Sequence, residues 1–148
     1  MDRRSRRIAS PHMDILGHCA GRIVVGRGRP ESEFDPELVF AACEAFGVAV
    51  EINSRPERLD PPKRLLRVAH EMGCRFSIDT DAHAPGQLEW PINGCERSAL
   101  CGNQPGSIVN TLDAESLLDW TQDHARRGER ETRLELATST LEGSRSSN

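Results

Sequence analysis

Apolar positions along the chain fall into short blocks, and their spacing alternates between strand-like and helix-like periods. Met13-Asp14-Ile15-Leu16-Gly17-His18 is a brief apolar run that stops at glycine and histidine, which predicts a buried strand with a polar exit. A loop follows from Gly21-Arg22 to Arg29-Pro30. Asp35-Pro36 then supplies an N-cap and a first-turn proline. Leu38, Val39, Ala42, Ala45 and Phe46 recur at helical spacing, and Gly47 offers a left-handed stop. The run Val48-Ala49-Val50-Glu51-Ile52-Asn53, bounded by Gly47 and by Ser54-Arg55-Pro56, predicts a second strand. A second helix, with its expected cap at Asp60-Pro61, carries Leu65, Leu66, Ala69 and Met72 and ends at Gly73.

The pattern then repeats. Cys74 to Asp81 reads as a third strand, and Ala82-His83-Ala84-Pro85-Gly86 as the loop beyond it. Residues 87–102 predict one or two short helical turns broken at Pro91. Ile108-Val109-Asn110 predicts a short fourth strand, and residues 113–127 a last helix with Leu117, Leu118 and Thr121 on one side. Strands that alternate with helices, without hairpin turns between them, predict an α/β fold of βαβ units around a parallel sheet.

Composition sets the limits of that domain. Both ends leave the alternating pattern, so a basic segment at 1–10, a folded part at 11–128 and a polar tail at 129–148 are expected. With 148 residues, 36% hydrophobic and only 4% aromatic, the core of this single domain should be thin. Lys and Arg number 19 against 23 Asp and Glu, a balance of −4, which removes any whole-chain electrostatic pull toward nucleic acid. The cluster Arg3, Arg4, Arg6 and Arg7 is the local exception. No run approaches the roughly 18 apolar residues of a membrane span, and no apolar segment follows the basic start. A soluble, cytoplasmic chain without a membrane partner is therefore expected. Five cysteines with no C-x-x-C pair predict reduced thiols rather than a disulfide framework.

In parallel α/β folds ligands bind beyond the C-terminal ends of the strands, where the βα loops converge. Those ends carry His18, then Glu51 and Asn53, then Asp79, Asp81 and His83. Asp81 and His83 are two residues apart, so at a strand end they project to one side and could reach one cation, with His18 from a neighbouring strand as a third ligand. The spacing is equally compatible with His83 closing a loop and His18 bonded to a backbone carbonyl. Arg22, Arg55 and Arg58 fall on the same end, where guanidinium groups could bind phosphate bidentately; solvated arginines are the plain alternative. Glu51 is costly to bury alone, and pairing with an arginine is the first expectation for it.

Three segments in order resemble a known family. Asp14-Ile15-Leu16-Gly17-His18 with Gly21-Arg22, Val50-Glu51-Ile52-Asn53-Ser54-Arg55-Pro56-Glu57-Arg58-Leu59-Asp60, and Ser77-Ile78-Asp79-Thr80-Asp81-Ala82-His83 are similar to the C-terminal part of the PHP (polymerase and histidinol phosphatase) domain. Val109-Asn110-Thr111 and Leu117-Leu118-Asp119-Trp120 extend the likeness. The branch attached to bacterial family X DNA polymerases, with its stand-alone relatives, is the nearest in pattern. The resemblance implies the C-terminal portion of a distorted (βα)7 TIM-like barrel that hydrolyses phosphoesters with a cluster of two or three divalent ions, Zn, Mn or Fe.

By the same resemblance, His18, Asp81 and His83 would be metal ligands, with Asp81 and His83 catalytic; Arg22, Asn53, Arg55 and Arg58, by their place at the strand ends, would meet the substrate. That substrate would be a DNA 3′ end or a small phosphomonoester. The family's early H-x-H motif has no counterpart here, and Cys19-Ala20-Gly21-Arg22 stands where many relatives have Pro-Thr-Gly-Arg. The chain should therefore supply only part of such a site, completed by the other half of the barrel or by self-association. A truncated, non-catalytic module of the same fold, with a binding role or no independent function, is the alternative.

Overall fold

The structure, a computed structural model, describes residues 7–123, 126 and 127. Its elements run β1 (Ile15–Leu16), α1 (Pro36–Phe46), β2 (Ala49–Asn53), α2 (Lys63–Glu71), β3 (Phe76–Asp79), α3 (Pro91–Leu100) and α4 (residues 114–123). Tight 3-10 turns at Pro85–Glu89, Pro105–Ser107 and Val109–Thr111 fill the links. The three strands form one parallel sheet in the order β1-β2-β3. This is the expected alternation of strands and helices.

Local chemistry explains the firm elements. Asp35 caps α1 by accepting from the Leu38 amide at 3.1 Å, Pro36 opens the helix, and Gly47 closes it at φ 75°. Register pairs Val50 with Phe76, Glu51 with Ser77, Ile52 with Ile78 and Asn53 with Asp79. Side chains alternate across a strand, so Val50, Ile52, Phe76 and Ile78 share one face and Glu51, Asn53, Ser77 and Asp79 share the other. The apolar face joins Val39, Phe40, Leu65 and Leu66 in the core. Phe34 meets Phe40 edge-on, with ring centroids 6.2 Å apart. The second face is polar, and it leads to the strand ends that carry the candidate chemistry.

Several boundaries depart from expectation. Pro91 does not break a helix; it starts one, because the first turn needs no proline N–H, and α3 runs ten residues from it. Ile108 makes only an isolated bridge to Phe76, and residues 109–111 turn as a 3-10 helix instead of a fourth strand. The Asn110 side chain takes the strand's place. Its Oδ1 accepts from the Ile78 amide at 2.7 Å and its Nδ2 donates to the Ile78 carbonyl at 2.9 Å, which blocks the outer edge of β3.

Asp60 does not cap α2. It is fully buried, accepting from the Ala20 amide at 3.1 Å, and the helix begins at Lys63 behind Pro62. Ile8, inside the segment expected to be a basic arm, is completely buried in the core. The arginines at positions 3, 4 and 6 and the 129–148 tail lie outside the described residues. All five cysteines are free thiols. Among the described residues no helix is long and apolar enough to cross a membrane.

Candidate active site

His18 and Asp81 follow β1 and β3, and both hold left-handed backbone conformations, φ 49° and 48°. For residues with a Cβ this conformation is costly and tends to gather at functional sites. It turns the two side chains toward each other. His18 Nδ1 lies 2.9 Å from Glu51 Oε2, and His18 Nε2 lies 3.4 Å from Asp81 Oδ2. The His18 backbone amide also donates to Glu51 Oε2. Glu51 thus pairs with a histidine and with Asn53, whose Nδ2 donates to Glu51 Oε1 at 3.2 Å, and not with an arginine as expected. The reason is register: the buried Glu51 sits beside the end of β1, closer to His18 than to the arginine loop.

Carboxylate oxygens thus face both ring nitrogens of His18, Glu51 at Nδ1 and Asp81 at Nε2. The Asp81 carboxylate is in turn held by arginines: Arg58 Nε donates to Oδ2 at 3.1 Å, and Arg55 Nη1 stands 3.8 Å from it. Partial burial works against the Asp81 charge, but His18, with Arg58 behind it, outweighs burial and keeps the carboxyl below its usual range.

Asp79 behaves oppositely. Burial, then the neighbouring Glu51 charge and a hydrogen bond with that carboxyl, push it up to about 7. Two carboxyls two residues apart are thereby split into one held ionised and one that retains a proton toward neutrality.

The other expected residues take varied places. His83 sits at the rim with its Nδ1 2.7 Å from the Asp81 carbonyl and 3.2 Å from Arg55 Nη1, so its ring faces the arginine and not His18. Arg55 also lies over the Trp90 ring, 5.7 Å from its centroid. Asn53 is wholly buried and spends its Oδ1 on the Arg55 amide at 3.0 Å. Arg22 is drawn onto backbone, donating to the carbonyls of Arg58 at 3.1 Å and Leu59 at 2.6 Å. It braces the loop that carries Arg55 and Arg58 and stands outside the group around Asp81.

The metal question turns on donor geometry. His18 Nε2 and Asp81 Oδ2 fit as neighbouring ligands of one divalent ion, since donors about 2.1 Å from a shared ion stand roughly 3 to 3.5 Å apart. Glu51 occupies the opposite ring nitrogen and cannot join them on that ion. Among the described residues no group of three His, Cys, Asp or Glu side chains is arranged to hold a metal. The fit is that of a partial ligand set.

Sequence reasoning did not find Arg97. This buried side chain of α3 donates from Nη1 to the Asn53 carbonyl at 3.0 Å and from Nη2 to the carbonyls of Leu59 at 2.7 Å and of Pro61. It clamps both ends of the arginine loop. The signal was Gly94, one turn earlier: a Cβ there would overlap Ser54 Oγ and lie 2.7 Å from Ile78 Cγ2. Only glycine lets α3 approach the sheet closely enough for Arg97 to reach the loop.

No family model matches the chain. Over 119 residues it is 35% identical to the DNA polymerase/3'-5' exonuclease PolX of Bacillus subtilis (strain 168). The chain is related to PolX-type proteins. The match takes in 80% of this chain but only 20% of that relative, so the chain spans about a fifth of the length of the protein it matches.

Proposed function

We propose that the chain forms one side of a PHP-type, metal-dependent phosphoesterase centre, in the C-terminal portion of a distorted (βα)7 TIM-like barrel. The observation that carries this reading is the meeting of His18, Asp81, Arg55 and Arg58 where three parallel strands end. The likeness to PolX supports it. The substrate would be a DNA 3′ end or a small phosphomonoester. His18 and Asp81 would be two ligands of the centre, and His83, at the rim beside Asp81, would be the third once its ring turns from Arg55 toward them. Further ligands come from polypeptide beyond the described residues or from self-association, for which the outer edge of β1 is open among the described residues.

A divalent ion bound there, Zn, Mn or Fe, would supply a water acidified toward hydroxide and would neutralise phosphoryl charge. The chain's own residues do the rest. Glu51 orients the His18 ring through Nδ1, and Arg55 and Arg58, flanking the Asp81 carboxylate, orient a phosphoryl group at the rim.

The test is to load the purified chain with Mn, dialyse it, measure bound metal, and assay p-nitrophenyl phosphate and a 3′-ended oligonucleotide. Metal retention that falls in His18→Ala and Asp81→Asn, with or without turnover, is expected. A chain that retains no metal and hydrolyses neither substrate overturns the reading. Metal held without turnover is the outcome of the second reading, a non-catalytic module of the same fold; the grip of Arg58 on the Asp81 carboxylate favours it.

A further inference from the structure

A cavity of about 470 Å³ lies beside the arginine loop, lined by Arg22, Leu59, Lys63, Asn93, Glu96 and Arg97 among others. None of His18, Arg55, Arg58, Asp81 or His83 lines it. Its walls concentrate positive charge. Arg22 Nη2 and Arg97 Nη2 both donate to the single carbonyl of Leu59, at 2.6 and 2.7 Å, so the two guanidinium nitrogens stand no farther apart than those bonds laid end to end. Burial, and then the Arg22 charge, lower the Arg97 pKa, the mark of two cations held close.

Nearby carboxylates offset part of this, and the Asp60 charge acts on Arg97. Glu31 stands 3.5 Å from Arg22 and is shared with Arg64. Asp60 is buried beneath, with Oδ1 taken by the Ala20 amide. Glu96 is exposed, and among the described residues Lys63 has no ion-pair partner.

The start of α2 adds to the imbalance. Its N-cap, Pro62, gives no side-chain hydrogen bond, and its first turn holds Lys63 and Arg64 with no acidic residue. Cations at the positive end of a helix reverse the favourable placement.

We infer that this cavity binds a phosphate-class anion, held by Arg22, Lys63 and Arg97, at a place separate from the Asp81 cluster. An oxyanion there would accept from the remaining guanidinium N–H groups and the Lys63 ammonium while relieving the repulsion between Arg22 and Arg97. The site does not depend on any catalytic role for the strand ends.

The probes are inorganic phosphate and thymidine monophosphate, titrated separately to about 20 mM into the full chain in EDTA and followed by amide NMR. Resonances of Lys63, Arg64 and Arg97 should move saturably with at least one probe. Tighter binding of the monophosphate would identify an esterified phosphate as the ligand, and equal or tighter binding of phosphate a free one. Lys63→Gln, an exposed change that leaves the loop contacts in place, should weaken the response at least about threefold. Arg22→Gln should do the same, and Arg58→Gln should leave it unchanged. No saturable movement at these amides, or an affinity unaltered in Lys63→Gln, would overturn the proposal.

Discussion

Replacing Arg97 by Met keeps the apolar stem in place and removes the fork. Three backbone acceptors lose a donor: the carbonyls of Asn53, Leu59 and Pro61. Leu59 retains the bond from Arg22, so two carbonyls are left bare. A buried acceptor without a partner costs about 1 to 3 kcal/mol, so the variant should lose about 3 kcal/mol of stability. Arg97→Lys should recover less than half of that, because one ammonium cannot span carbonyls at both ends of a loop.

Urea unfolding followed by circular dichroism measures the loss. NMR titration of Asp81 measures the local consequence, a rise of its carboxyl as the loop loosens and Arg58 draws away. A loss under about 1 kcal/mol, or an Asp81 titration identical to wild type in a folded Arg97→Met chain, would refute the clamp.

Three other outcomes follow from the same contacts. Gly94→Ala should cost about 1 to 3 kcal/mol by pushing α3 off the sheet. Because Ser54 Oγ makes no hydrogen bond, adding Ser54→Ala should restore part of that in urea unfolding, and a double variant no better than the single would exclude the Ser54 contact as the cause. Asp79 has a folded-state pKa raised from 3.8 to about 7, so its stabilising contribution is complete below 3.8 and is lost as pH rises through about 7. Asp79→Asn should therefore gain on wild type between pH 5 and pH 8, by on the order of 2 kcal/mol after screening by solvent. Parallel stability curves for the two chains in EDTA would contradict this. Asp35→Ala should cost about 1 kcal/mol through loss of the α1 cap, read as a lowered melting midpoint with secondary structure unchanged.

The elements that could be read along the chain are those whose causes are local. The α1 helix carries its cap, its first-turn proline and its stop within thirteen residues, Asp35 to Gly47. The strand ends were legible for the same reason, since His18 and Asp81 each stand two residues past the last position of a strand. Misreadings arose where a partner distant in sequence decides. Asp60 looks like a helix cap beside Pro61, but the Ala20 amide captures it from forty residues away. Val109-Asn110 looks like a strand, but the Asn110 amide bonds Ile78 and ends the sheet there. Arg22 reads as a neighbour of Asp81, but carbonyls of a later loop hold its guanidinium away from that carboxylate.

The amino-acid sequence by itself determined the alternation of strands and helices, the end of the sheet where polar groups gather, and the residue types available there, because periodicity and caps act over a few positions. Tertiary structure alone decided how those groups are spent. Register across all three strands placed Glu51 on His18 and beside Asp79, so one carboxyl orients an imidazole and raises a neighbour. The close approach of α3, permitted by Gly94, brought Arg97 to the loop and set two guanidinium groups on one carbonyl. Charge interactions depend on separations of a few ångströms, and in a folded chain those separations are set by packing between elements that the sequence leaves far apart.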